Sequence, residues 1–183
     1  MAVFGDLFRK YLDHGLHCVP IGDDKNPIVK GFDVWSDDGI DEKTADNLEK
    51  SYANLERIGL LMGKASGLVA FDFDYDFSDK KSKIKQKEFD LDKQYVEREI
   101  LRMLPQTPAI KVGKKGWTRF YKWSEEWGEH SNYQCDRQGV RLFDFIAWHK
   151  QTVIPPSLHS IVDGSPLYYK WIGQDLLTCF DDI

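Results

Sequence analysis

Helical spacing of apolar residues marks several stretches of the chain. Residues 4–14 place Phe, Leu and Tyr side chains on one face of an amphipathic helix. Thr44 is a plausible N-cap for a second helix that ends near residue 52. A long charged helix is predicted from about residue 85 to residue 104, closed by Pro105, and a terminal helix within residues 173–180. The segments between these helices lack the helical spacing of apolar residues.

Short apolar or alternating runs predict strands in those segments. They are residues 16–20, 58–62, 68–74, 109–112, 117–123, 140–146, 152–154 and 167–171. The runs 58–62 and 68–74 flank a glycine-bounded turn, and we expect them to form a hairpin, whereas residues 21–43 predict a long loop. The pattern is typical of an α+β fold with a mainly antiparallel sheet flanked by helices. We expect one domain, 1–183, in which an N-terminal α/β module (1–55) packs against a sheet (56–183).

Composition adds few constraints. The chain has 183 residues, 42% of them hydrophobic and 30% charged, as in an ordinary globular protein. The N-terminus does not read as a signal peptide, and three widely spaced cysteines argue for a reducing cytoplasm. The net charge of −5 is unevenly distributed, since residues 80–87 and 111–122 are basic while residues 33–49 are acidic. Basic surfaces of this kind could meet phosphate groups.

Two carboxylates stand at the end of a strongly apolar strand. Asp72 and Asp74 are separated by one residue, so on a strand their side chains share a face and their Cα atoms lie roughly 6.6 Å apart. Like charges at the edge of a core repel each other unless a cation compensates them, and Mg²⁺ or Mn²⁺ prefers such oxygen ligands. Asp144 lies in a second apolar run, and it would supply a third ligand if the two strands were neighbours. We therefore expect a metal site.

The sequence around these acids resembles the archaeo-eukaryotic primase superfamily, in particular the primase-polymerase domains of phage and plasmid replication proteins. The resemblance covers residues 4–172 and rests on ordered blocks. They are KNPIVKGF (25–32), IGLLMG (58–63), SGLVAFDFD (66–74), TPAIKVGKKG (107–116), VIPPSLH (153–159) and YYKW (168–171).

The resemblance implies an RRM-like catalytic sheet and a template-dependent nucleotidyltransferase, a DNA primase and/or DNA polymerase. It implies two Mg²⁺ or Mn²⁺ ions held by Asp72, Asp74 and Asp144. The nucleotide-binding residues that it implies are Lys114, Lys115, Thr118, Arg119, Ser157 and His159, and the nucleic-acid contacts are Lys30 and Lys111. The implied partners are a single-stranded DNA template with its primer, nucleoside triphosphates, and a helicase in cis or in trans.

One position departs from the family pattern. The family usually has a histidine where this chain has Thr118, and there it helps to hold the phosphates of the incoming nucleotide. Because strand neighbours alternate, Thr118 and Arg119 cannot both face the site in a regular strand. The departure keeps open a catalytically weak or inactive nucleic-acid-binding module. A haloacid-dehalogenase-like phosphatase, which also has Asp-x-Asp after an apolar strand, is a further alternative.

Overall fold

The computed structural model describes residues 2–74, 86–114, 116–127, 133–137 and 140–183. The helices in this part of the chain are α1 (Val3–Asp13), α2 (Trp35–Asp38), α3 (Glu42–Tyr52), α4 (Gln86–Met103) and α5 (Leu176–Cys179). The strands are β1 (Cys18–Pro20), β2 (Ile58–Leu61), β3 (Leu68–Asp74), β4 (Ala109–Val112), β5 (Gly116–Lys122), β6 (Tyr133–Arg137), β7 (Val140–Ile146), β8 (Gln151–Ile154), β9 (Leu158–Val162), β10 (Ser165–Tyr168) and β11 (Lys170–Gly173).

The described strands form three sheets. The largest has six strands in the order β11-β4-β5-β3-β7-β6, a second has the order β1-β2-β8, and β9 forms a hairpin with β10. Every pairing among the described strands is antiparallel. The predicted α+β class with mainly antiparallel sheets is therefore confirmed. A haloacid-dehalogenase-like phosphatase needs a parallel sheet, which the described strands do not form.

One apolar core joins the N-terminal helices to both larger sheets. Helix α1 buries Phe4 and Phe8, whose rings stack with their centroids 4.8 Å apart. Ala70 and Phe120 from the six-stranded sheet belong to the same buried cluster. Each fully buried phenylalanine stabilises the fold by about 1.5–3 kcal/mol, so this packing holds one face of the large sheet in place.

Strand β2 and strand β3 do not form the predicted hairpin. An isolated bridge between Gly63 and Leu68 closes the turn, after which β2 pairs with β1 and β8, whereas β3 pairs with β5 and β7. The N-cap of α3 is Asp41 rather than Thr44, because the Asp41 carboxylate accepts the backbone N–H of Thr44 at 3.0 Å. The predicted strand 167–171 is divided between β10 and β11, which belong to different sheets.

The three-stranded sheet combines distant parts of the chain. Strand β1 comes from the first 55 residues, whereas β2 and β8 follow them in sequence. The division into a module 1–55 and a sheet 56–183 remains a prediction. Within the described residues, no helix combines the length and the apolar character needed to cross a membrane.

Candidate active site

A row of polar residues crosses the six-stranded sheet at right angles to its strands. Strand register places Thr118 opposite Lys111 on one side and Asp72 on the other, and Asp144 lies opposite both Asp72 and Gln134. Residues directly opposite each other in an antiparallel sheet point to the same face. Two residues earlier along β3, Ala70 lies opposite Phe120 and Ile146. The polar row therefore begins where the apolar core of this face ends.

Asp72 and Asp144 form the acidic centre of the row. Residues directly opposite each other on antiparallel strands have Cβ atoms about 4.5–5.5 Å apart, and like charges in that relationship destabilise a sheet. Asp72 is partly buried and lines two adjoining cavities of ≈ 180 Å³ and ≈ 300 Å³, and Asp144 lines the larger. Two converging carboxylates of this kind suit a divalent cation with oxygen ligands. Strand pairing thus confirms that β7 neighbours β3.

Thr118 is bonded to one of these carboxylates. Its side chain is fully buried, and its hydroxyl donates a hydrogen bond to Oδ1 of Asp72. The bond fixes the carboxylate from the side away from Asp144, because Thr118 and Asp144 lie on opposite flanks of β3. In this chain, position 118 therefore orients an acid.

The second acid of the Asp-x-Asp pair is described only through its backbone. Asp74 ends β3 opposite Gly116. Among the described side chains, no group of three or more His, Cys, Asp or Glu converges on a common point. Lys115 and residues 80–85 of the basic run lie outside the described residues.

Cationic and aromatic side chains form a wall of the cavities that the acids also line. Lys111 is buried, and its Nζ donates to Oγ1 of Thr152 at 2.7 Å and to the carbonyl of Val153 at 3.0 Å. Its Nζ lies 5.0 Å from the ring centroid of Tyr169, and Nζ of Lys25 lies 5.8 Å from the same centroid. Lys25, Lys111 and Tyr169 line both cavities together with Asp72. The site thus combines carboxylates and cations around the same two cavities.

His159 completes this wall. Its ring packs against Tyr169 with centroids 4.7 Å apart, and its Nε2 lies 3.4 Å from Nζ of Lys25. An ammonium group can only donate, so Nε2 accepts and the proton of a neutral ring sits on Nδ1, 2.9 Å from the hydroxyl of Ser160. A Cβ on Gly113 would lie 2.9 Å from Tyr169 and 3.1 Å from His159. Only glycine lets both rings approach the β4–β5 turn so closely.

The other described residues expected at the site do not line either cavity. Arg119 pairs with Phe71 and therefore projects from the opposite face, where its guanidinium lies 5.1 Å from the ring of Trp117. On that face burial raises the pKa of the Tyr121 hydroxyl, and Arg119 partly opposes the shift. Lys30 and Lys114 are exposed. Ser157 is fully buried away from both cavities, where its hydroxyl accepts the N–H of Ile58 at 2.9 Å.

Sequence reasoning did not find Lys25, Tyr169 or Gln134. Lys25 opens the block 25–32 and Tyr169 lies inside the block 168–171, so the family resemblance carried a signal for both. Nothing in the sequence around Gln134 indicated a place in the site. Strand β6 was not predicted, and Gln134 belongs to the row only because β6 pairs with β7.

A comparison with curated proteins finds no match. The family model described as bifunctional DNA primase/polymerase, N-terminal, matches residues 8–181. The match spans both larger sheets, and it includes every member of the polar row. The chain therefore belongs to the bifunctional DNA primase/polymerase N-terminal domain family.

Proposed function

We propose that this chain is a template-dependent nucleotidyltransferase, acting as a DNA primase, a DNA polymerase or both in phage or plasmid replication. Membership of the family supports primase or polymerase chemistry. The observation that carries the proposal is the direct pairing of Asp72 with Asp144 across β3 and β7, beside a cavity that Lys25 and Lys111 also line. In this proposal the six-stranded sheet acts as the RRM-like catalytic sheet of the family.

Asp72, Asp74 and Asp144 would hold divalent Mg²⁺ or Mn²⁺. The residues fit that role, because the acids present hard oxygen donors and repel one another when no cation is bound. Metal ions in such sites stabilise the attacking and leaving oxygens of an in-line displacement. Thr118 would keep the carboxylate of Asp72 oriented by its hydrogen bond.

The cationic wall would receive the anionic tail of a nucleoside triphosphate. Lys111 is implied by the resemblance as a nucleic-acid contact, but it is buried and lines the same cavity as Asp72 and His159, so we assign it to the phosphates instead. Charge-assisted hydrogen bonds to phosphate are roughly twice as strong as neutral ones. Lys114 and Lys115 remain proposed phosphate contacts.

The other partners follow from the same proposal. Exposed Lys30 would contact the backbone of a single-stranded template and its primer. A helicase would act with this domain, in cis or in trans, and the reaction would take place in the cytoplasm.

The experiment is primer extension and de novo synthesis with Mg²⁺ or Mn²⁺, using both ribonucleotides and deoxynucleotides. Asp72→Asn and Asp144→Asn should each lower the rate by on the order of 10³-fold, since several kcal/mol of transition-state stabilisation would be lost. Asp163→Asn is the matched control, because Asp163 is an exposed residue of the β9–β10 hairpin at a φ of 50° that asparagine tolerates.

Thermal unfolding supplies a second readout. Mn²⁺ should raise the melting temperature of the wild-type protein but not that of Asp144→Asn, because a ligand stabilises only the state that binds it. If the wild-type protein neither extends nor starts a chain, the enzyme proposal fails. A nucleic-acid-binding module without catalysis would then be tested by titration with single-stranded DNA.

A further inference from the structure

Lys25 occupies a backbone position that normally favours glycine. A bridge between Ile21 and Pro27 and a hydrogen bond from the N–H of Gly22 to the carbonyl of Asn26 at 2.9 Å close a tight hairpin. Its loop consists of residues 23–25, and Lys25, the last of them, has a φ of 65°. Loops of this length place a left-handed residue there, and glycine is the usual choice. A lysine at that position indicates a use for its side chain that offsets the backbone strain.

The hairpin is anchored on several sides. Nη1 of Arg57 donates to Oδ1 of Asp23 at 2.5 Å, and Nε2 of Gln151 donates to the carbonyl of Lys25 itself at 3.1 Å. The carboxylate of Asp24 accepts both the backbone and the side-chain N–H of Asn26 at 3.0 Å. These bonds hold the strained backbone in one place, so the lysine is presented at a defined point.

The side chain is directed into the candidate active site. Lys25 is partly buried, lines both cavities together with Asp72, and its Nζ lies 3.4 Å from Nε2 of His159. The residue that it approaches is 134 positions away in sequence. Exposed Lys30, five positions further along, lines neither cavity. The two lysines of the same sequence block therefore serve different surfaces.

We propose that Lys25 binds the phosphates of the incoming nucleoside triphosphate, and that the strained hairpin exists to hold its ammonium group there. The proposal rests on the proposed function, of which it names a substrate contact. A triphosphate fits better than a nucleic-acid backbone, because the ammonium lies inside the cavity that contains Asp72 rather than on the open surface. Nζ can donate to phosphate oxygens while the ring of Tyr169, 5.8 Å from it, limits where it moves.

The test is a calorimetric titration of the whole chain with dATP and with dAMP, in Mg²⁺ and without template, so that turnover does not interfere. Lys25→Gly removes the cation and suits the left-handed backbone, and its melting temperature should not fall below that of the wild type. Lys25→Arg keeps the charge. Lys50→Met, on an exposed lysine of α3, is the control for a general change in charge.

Lys25→Gly should raise the Kd for dATP about tenfold and leave the Kd for dAMP within about twofold of the wild-type value, because a lost hydrogen bond to a charged group of about 1.5 kcal/mol corresponds to that change. Lys25→Arg should recover most of the dATP affinity, and Lys50→Met should behave as the wild type does. Such results support the proposal.

Unchanged dATP binding in Lys25→Gly would overturn it. An equal loss of affinity for dATP and dAMP would also overturn it, as would a wild-type protein that binds no dATP. A parallel titration with single-stranded oligo-dT gives a further check, because a loss of affinity confined to that oligonucleotide would contradict the proposal. The extension assay separates this failure from that of the proposed function. If wild-type dATP binding depends on Lys25 but the protein extends no primer, the proposed nucleotidyltransferase activity is contradicted and the proposed phosphate contact is supported. If the wild type extends a primer and Lys25→Gly binds dATP as the wild type does, only the proposed phosphate contact of Lys25 is contradicted.

Discussion

Thr118 lies directly opposite Asp72 across β5 and β3, and its buried hydroxyl donates a hydrogen bond to Oδ1 of that carboxylate. Thr118→Val keeps the shape of the side chain and removes the donor. We expect the rate of primer extension to fall about tenfold, since a hydrogen bond to a charged group contributes about 1.5–3 kcal/mol and part of that loss should reach the transition state. Thr118→Ser, which keeps the hydroxyl, should stay close to the wild-type rate. Equal rates for Thr118→Val and wild type would show that the bond does not orient a catalytic acid.

Gly113 lets the rings of His159 and Tyr169 approach the β4–β5 turn. A Cβ at this position would lie 2.9 Å from Tyr169 and 3.1 Å from His159, so Gly113→Ala must displace both rings. We expect the KM for nucleotide to rise roughly 3- to 10-fold, because only part of the 1–3 kcal/mol that overpacking typically costs would fall on nucleotide binding. Steady-state kinetics at saturating template measures it. Gly164→Ala, in open space at a φ of 77°, should lower stability without changing KM.

Ser157 joins the loop after β8 to the start of β2. Its hydroxyl accepts the N–H of Ile58 at 2.9 Å and lies 3.3 Å from the carbonyl of the same residue. Ser157→Ala leaves a buried N–H without this acceptor, so the free energy of unfolding should fall by about 1–3 kcal/mol, as urea denaturation would show. Ser66→Ala is a matched variant, because the Ser66 hydroxyl likewise accepts a backbone N–H, that of His17, at 3.0 Å. A rise in KM for Ser157→Ala alone would support the predicted nucleotide contact of Ser157.

His17 should make stability depend on pH. Burial lowers the pKa of its imidazole, and Nδ1 accepts the N–H of Ile40 at 3.0 Å, so the folded state favours the neutral ring. The unfolded chain binds the proton more tightly, with a pKa of about 6.5. The stabilisation is therefore complete above that pH, and it is lost as the pH falls below it through the lower pKa of the folded state.

The measurement is the urea midpoint at neutral and mildly acidic pH. The free energy of unfolding should fall with acidification by at most about 1.4 kcal/mol per pH unit from this one residue. His17→Asn offers a side-chain oxygen to the N–H of Ile40 and does not titrate, so its loss over the same range should be smaller. Equal losses in the two proteins would assign the effect to other groups.

The local pattern of apolar and polar residues was sufficient to identify Asp72 and Asp144 as candidate site residues. The alternation around Asp72 and the apolar run around Asp144 each predicted a strand, and the structure pairs the two residues directly. The pairing partners of β2 could not be found in this way. Its residues are buried throughout, so periodicity says nothing about its neighbours, and the turn after it closes with a single bridge before the strands part.

The cationic wall shows the same limit. Lys25 was placed in a long loop by the Gly, Asp and Pro around it, and nothing local indicates that its side chain meets His159, 134 positions away. Alternation did reveal that Thr118 and Arg119 must face opposite sides. The register of β5 against β3 then gives Thr118 the inner side and leaves Arg119 among aromatic rings on the outer one.

The polar row takes one residue from each of five neighbouring strands, and those residues span positions 72 to 144 of the chain. A slip of one residue in any of these pairings turns that strand's contribution to the opposite face. The row therefore exists only when all five of these strands are in register. We therefore expect a single-residue insertion or deletion within any of these strands to disrupt the row.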